Sequence, residues 1–132
     1  MQSMGLLKTL LTGKASALKP SIAEHQRLIR LSARIRRLIA KWEPILGIHV
    51  QEAHHQPLKT YWASANARTR KITFNSKLVD MSPAFLEVTV VHEMVHFLTK
   101  GHDQLFYTLM DRHVPQWRRL HARYAEPLTR NS

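Results

Sequence analysis

The sequence lacks cysteine altogether, and no apolar run reaches the roughly 20 residues that a membrane-spanning helix needs. Without thiols, disulfide bonds and thiolate metal ligands are excluded, so a metal ion could be held only by His, Asp or Glu. Lys8 interrupts the short apolar stretch near the N-terminus and no small-residue cleavage pattern follows, which argues against a signal peptide. We therefore expect a cytoplasmic protein with no membrane partner.

Acidic residues are also scarce, since 9 Asp and Glu stand against 20 Lys and Arg and leave a net charge of +11. Such an excess of cations attracts polyanions and makes nucleic acid a candidate partner. The alternative is a solvated basic surface that keeps a small protein soluble. The 132 residues fit one domain, for which we expect an N-terminal arm of uncertain structure over residues 1–19 and a single domain over residues 20–132. The oligomeric state is not indicated.

The domain is predicted to begin with a basic helix. Ser21 and Glu24 form a Ser-x-x-Glu capping box, in which each side chain satisfies a backbone donor of the other residue. Apolar residues follow at spacings of three and four and share one face, with basic residues mostly on the other: Leu28, Leu31, Ile35, Leu38 and Trp42. Because Pro44 disfavours helical geometry in the residue before it, the helix is expected to end near the last of these.

Three short strands are predicted next, over residues 48–52, 60–65 and 70–75. Residues 66–69 are expected to form the turn between the second and third strands. Apolar and polar side chains alternate in the third strand, as in a strand with one buried face.

A buried helix is the clearest element. Ser82 suits its N-cap and Pro83 its first position, and the helix is expected to run to about Lys100, with Gly101 closing it in a left-handed cap. Most of its side chains are apolar, so its few polar residues need a reason to be there. After Asp103, a suitable N-cap, one helix is predicted to about residue 112 and a last one over residues 116–125.

The polar residues of this helix form the motif His92-Glu93-Met94-Val95-His96. Two histidines at i and i+4 project side by side, with Cβ atoms about 5–6 Å apart, and can reach one zinc ion. Glu93 points to the flank of the metal, where it can act as general base and acid on an attacking water. The alternative, two core histidines and a paired glutamate, would bury three ionisable groups on an apolar helix at a high cost.

A catalytic zinc ion takes three protein ligands and leaves one position open. The best third candidate is His102, because Gly101 lets the chain reverse and bring this side chain back toward His96. Its rivals are Asp103, His113, His121 and Glu126. The remaining histidines are expected to be exposed or packed residues: His25, His49, His54 and His55.

At these residues the sequence resembles the YgjP-like metallopeptidases, a family of small zincins. Tyr61–Ala65 is similar to the Trp-Gly-Ser-Cys stretch of the family, although Ala63 and Ala65 replace its Gly and Cys. Ile72–Leu78 resembles a strand that ends in an Asn-x-x-Leu turn. The longest block runs from Val90 to Trp117 and resembles the zinc helix, a third His in a His-Ser-x-x-Phe-Trp context, and a Pro-x-Trp near the end. Asp103 replaces the Ser that follows the third His in the family.

The resemblance implies His92, His96 and His102 as zinc ligands and Glu93 as the catalytic acid and base. It also implies a zincin-like α+β fold, with the basic N-terminal helix on a small antiparallel sheet, the zinc helix behind it, and C-terminal helices. In such folds a peptide or protein substrate lies along an edge strand, for which the strand over residues 70–75 is the candidate.

Three hypotheses follow for the function. The first is a zinc-dependent metallopeptidase, with Tyr107, His113 and Arg118 as candidates for stabilising the oxyanion. The second is a SprT-like, nucleic-acid-associated zinc protein that acts on or near DNA-bound proteins. The third is a purely structural zinc site, against which the ready general base argues.

Overall fold

The structure of the protein, a computed structural model, describes residues 21–124. Within that part of the chain, four α-helices and a three-stranded sheet form the α+β fold that the sequence predicts, and no helix has the length and apolar character of a membrane span. The elements are helix α1 (Ile22–Leu46), strands β1 (Glu52–Gln56), β2 (Ala63–Asn66) and β3 (Lys71–Asn75), a 3₁₀ helix (Ser76–Asp80), and helices α2 (Pro83–Val95), α3 (Gln104–His113) and α4 (Trp117–Tyr124). The predicted arm over residues 1–19 lies outside the described residues.

Helix α1 begins where its capping residue predicts. The Ser21 hydroxyl accepts a hydrogen bond from the Glu24 N–H at 3.0 Å. The Glu24 carboxylate turns to Arg27 rather than back to the cap, and accepts a hydrogen bond from its Nη1 at 2.8 Å. The chain divides into two compact units inside α1, after Arg30, and residues 31–124 of the second unit carry the sheet, the core and the other helices.

The predicted end of α1 near Trp42 is wrong, because the helix continues to Leu46 with Pro44 in its last turn. Proline at this position lacks the N–H that would donate to the Ala40 carbonyl, so the helix loses one backbone hydrogen bond near its end and still continues to Leu46. Gly47 adopts a φ of 71°, and its N–H donates to the Glu43 carbonyl at 2.8 Å. The left-handed glycine therefore ends the helix, and the proline does not.

The sheet is mixed, with β3 in the middle, β2 antiparallel to it on one side and β1 parallel to it on the other. The predicted antiparallel sheet is therefore wrong for β1, which also begins only at Glu52. The chain crosses from β1 to the far side, forms β2 from Ala63, and returns through a hairpin into the central position. The expected edge strand over residues 70–75 is also wrong, because β3 has a neighbour on each side.

The hairpin between β2 and β3 lies at the predicted turn. The Asn66 side-chain oxygen accepts hydrogen bonds from the N–H groups of Arg68 at 3.0 Å and Thr69 at 3.1 Å. Arg70 then takes a φ of 62°, a left-handed conformation that is uncommon for a residue with a side chain. Its guanidinium lies 5.0 Å from the ring centre of Phe97, a cation–π contact that ties the hairpin to the end of α2.

Helix α2 lies at the centre of the core and packs against β2, α3 and α4. As predicted, the Ser82 hydroxyl accepts a hydrogen bond from the Phe85 N–H at 3.1 Å, and Pro83 is the first helical residue. Side chains from α1, the sheet, the 3₁₀ helix and α3 pack into the same cluster, among them Leu31, Ile35, Trp42, Ile72, Phe74, Leu78, Phe106 and Met110. This packing holds the polar residues of α2 in fixed positions.

Candidate metal centre

The motif histidines stand at the C-terminal end of α2. His92 and Glu93 are 2% and 1% exposed, and His96 is the C-cap residue. The predicted continuation to Lys100 is wrong, because the α-helix ends at Val95. Beyond it, backbone amides bond to carbonyls three residues earlier, at 3.2 Å from His96 to Glu93, and the chain tightens into turns. The motif therefore lies at the junction of a buried helix and a loop.

The loop after α2 reverses at Gly101 and carries His102 back to the end of the helix. Gly101 has a φ of 67°, which glycine adopts without steric cost, and its carbonyl accepts a hydrogen bond from the Thr99 hydroxyl at 3.0 Å. Asp103 then caps α3 as predicted by accepting the Phe106 N–H at 2.9 Å, and this hydrogen bond is the main cause that lowers the pKa of Asp103. The third histidine thus lies between two defined turns.

His92, His96 and His102 converge. One ring nitrogen from each lies within 4.8 Å of the others. The ring centres are 5.0 Å apart for His92 and His96, 5.2 Å for His92 and His102, and 5.0 Å for His96 and His102. Nitrogens bound to one zinc ion at about 2.0–2.1 Å lie at most about 4.2 Å apart, so the three imidazoles are close to a ligand arrangement. His102 is exposed and His92 buried, which leaves the cluster open on one side.

Phe106 forms a wall beside all three imidazoles. Its ring centre lies 5.0 Å from that of His92, 5.1 Å from His96 and 4.4 Å from His102. The ring is 1% exposed and excludes water from this side of the cluster. The sequence interpretation missed this role, for which the only signal is an aromatic residue four positions after His102.

A fourth histidine lies against the cluster. His121 stacks on His92, with 9° between the ring planes and 5.2 Å between their centres. Trp117, one turn earlier on α4, contacts it edge-on at 5.7 Å. Burial lowers the pKa of His121, and nearby His102 lowers it further, so the neutral imidazole is favoured. The sequence interpretation considered His121 as a rival ligand, and otherwise as a surface group or a group next to the ligands.

Of the other rival ligands, the two that the structure describes, Asp103 and His113, do not join the cluster. Asp103 is occupied as the cap of α3. His113 packs edge-on against Trp42 at 5.7 Å. Glu126 lies outside the described residues. His55, one of the histidines expected to be exposed or packed, has a hydroxyl group next to each ring nitrogen: Ser76 Oγ lies 2.9 Å from Nδ1 and Ser32 Oγ lies 3.0 Å from Nε2.

The residues considered for the oxyanion have partners of their own. The two carboxylate oxygens of Asp111 each accept a hydrogen bond from the Arg118 guanidinium at 3.3 Å. The same guanidinium lies 4.6 Å from the ring centre of Trp117 and 5.3 Å from that of Tyr107. Arg118 is therefore held against an acidic and an aromatic surface.

Comparison with known proteins gives one family and a shared fold. The YgjP-like metallopeptidase domain matches residues 7–126. Among solved structures, the metallopeptidase zymogen of Pyrococcus abyssi abylysin is 20% identical with a TM-score of 0.64, over 74% of this chain and 97% of that one. The metallopeptidase zymogen of Methanocaldococcus jannaschii jannalysin is 17% identical with a TM-score of 0.59, and the match covers 70% of this chain and 94% of that one. At these identities the structures show the fold alone. A comparison with curated proteins finds no significant match.

Proposed function

Because the chain belongs to the YgjP-like metallopeptidase family, we propose that it is a zinc-dependent peptidase with His92, His96 and His102 as the ligands. The observation that carries this proposal is the convergence of their ring nitrogens within 4.8 Å at the end of a buried helix. Imidazole is a preferred donor for zinc, and the chain has no thiol to compete with it. Three protein ligands leave a position open, which is typical of catalytic rather than structural zinc.

Glu93 is the proposed general base and acid. Its buried carboxylate belongs to the residue after the first ligand, so it lies at the flank of the site. Zinc, when bound, supplies polarisation of the scissile carbonyl and lowers the pKa of water. Glu93 takes a proton from the attacking water as the water oxygen bonds to the carbonyl carbon. It gives this proton to the leaving nitrogen as the C–N bond breaks, so that one water and one peptide bond yield a carboxyl group and an amine.

We assign the substrate to the outer edge of β2, the strand that packs against α2. Within the described residues, β3 is the only strand paired with β2, so an extended peptide can add on the other side. The Asn75 N–H donates to the Trp62 carbonyl at 2.8 Å. The alternation of an antiparallel ladder then directs the backbone of Ser64 toward β3 and the N–H of Ala65 outward. Ala65 is therefore a proposed backbone donor to the substrate.

The test compares the wild type with Glu93→Gln for zinc content and for hydrolysis of a random-sequence library of quenched fluorogenic peptides. We expect about one zinc per chain in both proteins and a loss of hydrolysis of about 100-fold to 10,000-fold in the variant. Glu87→Gln, six residues earlier on the same helix, is the matched control and should retain both properties. A wild type that binds no zinc, or a Glu93→Gln variant with full activity, refutes the proposal.

A second function, action on or near DNA-bound proteins, is favoured by a groove of about 310 Å³ beside α1. Arg34, Arg37 and Lys41 line it at three- and four-residue spacing on one helix face, with Glu87 as the acidic neighbour. Glu87 is engaged by Lys41 at 2.6 Å. Neither arginine has an acidic partner among residues 21–124. The stripe extends over about 10 Å of helix, long enough to contact more than one phosphate.

Fluorescence anisotropy of a labelled DNA duplex at increasing salt concentration tests this second function. Replacing both arginines in Arg34→Gln/Arg37→Gln should weaken binding and reduce the slope of log K against log salt by about 1–2. The control Arg68→Gln/Lys77→Gln removes the same charge from exposed positions elsewhere. If both double variants weakened DNA binding equally, the groove would contribute only through the general positive charge of the protein and would not be a specific DNA site.

A further inference from the structure

His121 occupies a position beside the metal centre that the proposed mechanism does not use. Its ring lies parallel to that of His92 within 9°, at 5.2 Å between centres. Trp117, which lies on the same helix as His121, contacts its ring edge-on, with 5.7 Å between the ring centres. The side chain is only partly buried, so a part of the ring is accessible from outside.

His121 is close to the cluster without belonging to it. The nitrogens of the other three histidines lie within 4.8 Å of one another, and no nitrogen of His121 joins that set. A fourth protein ligand would close the position that a catalytic zinc site leaves open. His121 contacts the ring of a ligand but is not a ligand itself. It therefore leaves the open coordination position available to the substrate.

Peptide hydrolysis places negative charge on the carbonyl oxygen, and a donor that is already fixed in place lowers the barrier. Three side chains were suggested for this role by the sequence. Arg118 is held by Asp111 at 3.3 Å, His113 packs on the indole of Trp42, and Tyr107 stacks on Trp117 with 6.0 Å between ring centres. His121, by contrast, contacts the ring of the candidate ligand His92 directly.

We infer that His121 is a catalytic residue that donates an imidazole N–H to the carbonyl oxygen of the scissile peptide bond. This inference rests on the proposed peptidase function. An imidazole carries at least one N–H in either protonation state, so the role requires a hydrogen bond and no proton transfer. Glu93 carries the proton of the reaction, and the bonds that form and break are those of hydrolysis.

Two replacements of His121, both made in the zinc-loaded, full-length chain, distinguish the effect of the N–H donor from the effect of the aromatic ring. His121→Phe keeps a ring to stack on His92 and has no donor, whereas His121→Gln keeps an N–H donor and has no ring. His49→Phe makes the first exchange at a side chain that is 77% exposed, and is the matched control. The substrate is the quenched fluorogenic peptide that the wild type cleaves fastest from a random-sequence library. Zinc affinity is measured by competition with a chelator, and the ligand set by the visible spectrum of the cobalt-loaded protein.

We expect His121→Phe to lower kcat on the order of 100-fold, with KM, zinc affinity and the cobalt spectrum unchanged. His121→Gln should recover a part of the loss, and His49→Phe should behave as the wild type. Wild-type kcat in His121→Phe overturns the role. Weaker zinc binding or an altered cobalt spectrum also overturns it, because His121 would then be a ligand.

Two further outcomes separate the remaining explanations. A glutamine variant that is slower than the phenylalanine variant would mean that stacking, and not donation, is what matters, and would overturn the role. A wild type that binds zinc but cleaves no peptide refutes the peptidase function and this role with it. An active wild type with an unaffected His121→Phe refutes this role alone.

Discussion

The ring centre of Phe106 lies 4.4 Å from that of His102 and 5.0 Å from that of His92 on α2. One apolar side chain therefore contacts the histidine from the loop and a histidine from the helix. Because Asp103 caps the helix that carries Phe106, the cap, the aromatic wall and the third histidine form one local unit. We expect the packing of α3 to control how well His102 reaches a metal ion.

Phe106→Leu tests this coupling. The smaller side chain leaves a gap beside the three imidazoles and relaxes their orientation, so we expect zinc affinity to fall about 10-fold and the free energy of unfolding to fall by about 1–2 kcal/mol. Phe74→Leu makes the same change in the sheet, at a ring that is also fully buried. It should lower stability by a similar amount and leave zinc affinity unchanged. Equal zinc affinities in the two variants would show that Phe106 acts only through stability.

Removal of the third histidine should empty the metal centre. Elemental analysis of the wild type should give about one zinc per chain, and His102→Ala should lose it or bind it much more weakly, because two imidazoles cannot complete the site. His113→Ala is the matched control, since His113 contacts Trp42 instead of the cluster. Full zinc content in His102→Ala would remove this histidine from the ligand set, and a folded wild type that cannot be loaded would remove the metal centre.

Local rules predicted the parts of the structure that depend on a few neighbouring residues. Ser82 and Asp103 cap their helices with the expected hydrogen bonds, and Gly101 is left-handed where the chain must reverse. Each of these features is decided within about one turn of helix or loop. The same locality explains why the motif histidines could be assigned to a buried helix from spacing and polarity, although that helix was expected to continue past them to Lys100 and ends at Val95.

Features that depend on distant residues could not be predicted in this way. The parallel pairing of β1 with β3 joins Glu52 to Lys71, and no local pattern specifies on which side of β3 the earlier strand lies. The stacking of His121 on His92 depends on how α4 packs across α2, which periodicity within either helix does not determine. The end of α1 was mispredicted because a single proline was given more weight than the glycine three residues later.

The outward N–H of Ala65 predicts a selective effect of proline on substrate binding. Ala65→Pro removes this donor and should keep β2 paired with β3, because the pairing bonds of an antiparallel ladder alternate along the strand. We expect KM to rise about 10-fold, with zinc content and the thermal midpoint close to those of the wild type. Ala65→Val retains the N–H and is the control for side-chain size. An unchanged KM in the proline variant would show that the peptide binds elsewhere.

Glu87 predicts how stability depends on pH. Burial raises the pKa of this carboxyl group, but hydrogen bonds from Lys41 Nζ at 2.6 Å and Trp42 Nε1 at 2.8 Å outweigh it and hold the pKa below its ordinary range. A carboxyl group with a lowered pKa in the folded state stabilises the fold above its unfolded pKa, about 4.3 for glutamate. This contribution is lost as the pH falls through the folded pKa.

The difference in free energy of unfolding between the wild type and Glu87→Gln should therefore be largest near pH 7 and should vanish toward pH 3. Because the group is partly exposed, solvent screening keeps this difference below about 1 kcal/mol. Denaturant unfolding of both proteins over this range measures it. In a Trp42→Phe background, which removes the indole donor and keeps an aromatic ring, the difference at neutral pH should shrink. A difference that is constant from pH 7 to pH 3 would mean that the carboxyl group acts through packing and not through its charge.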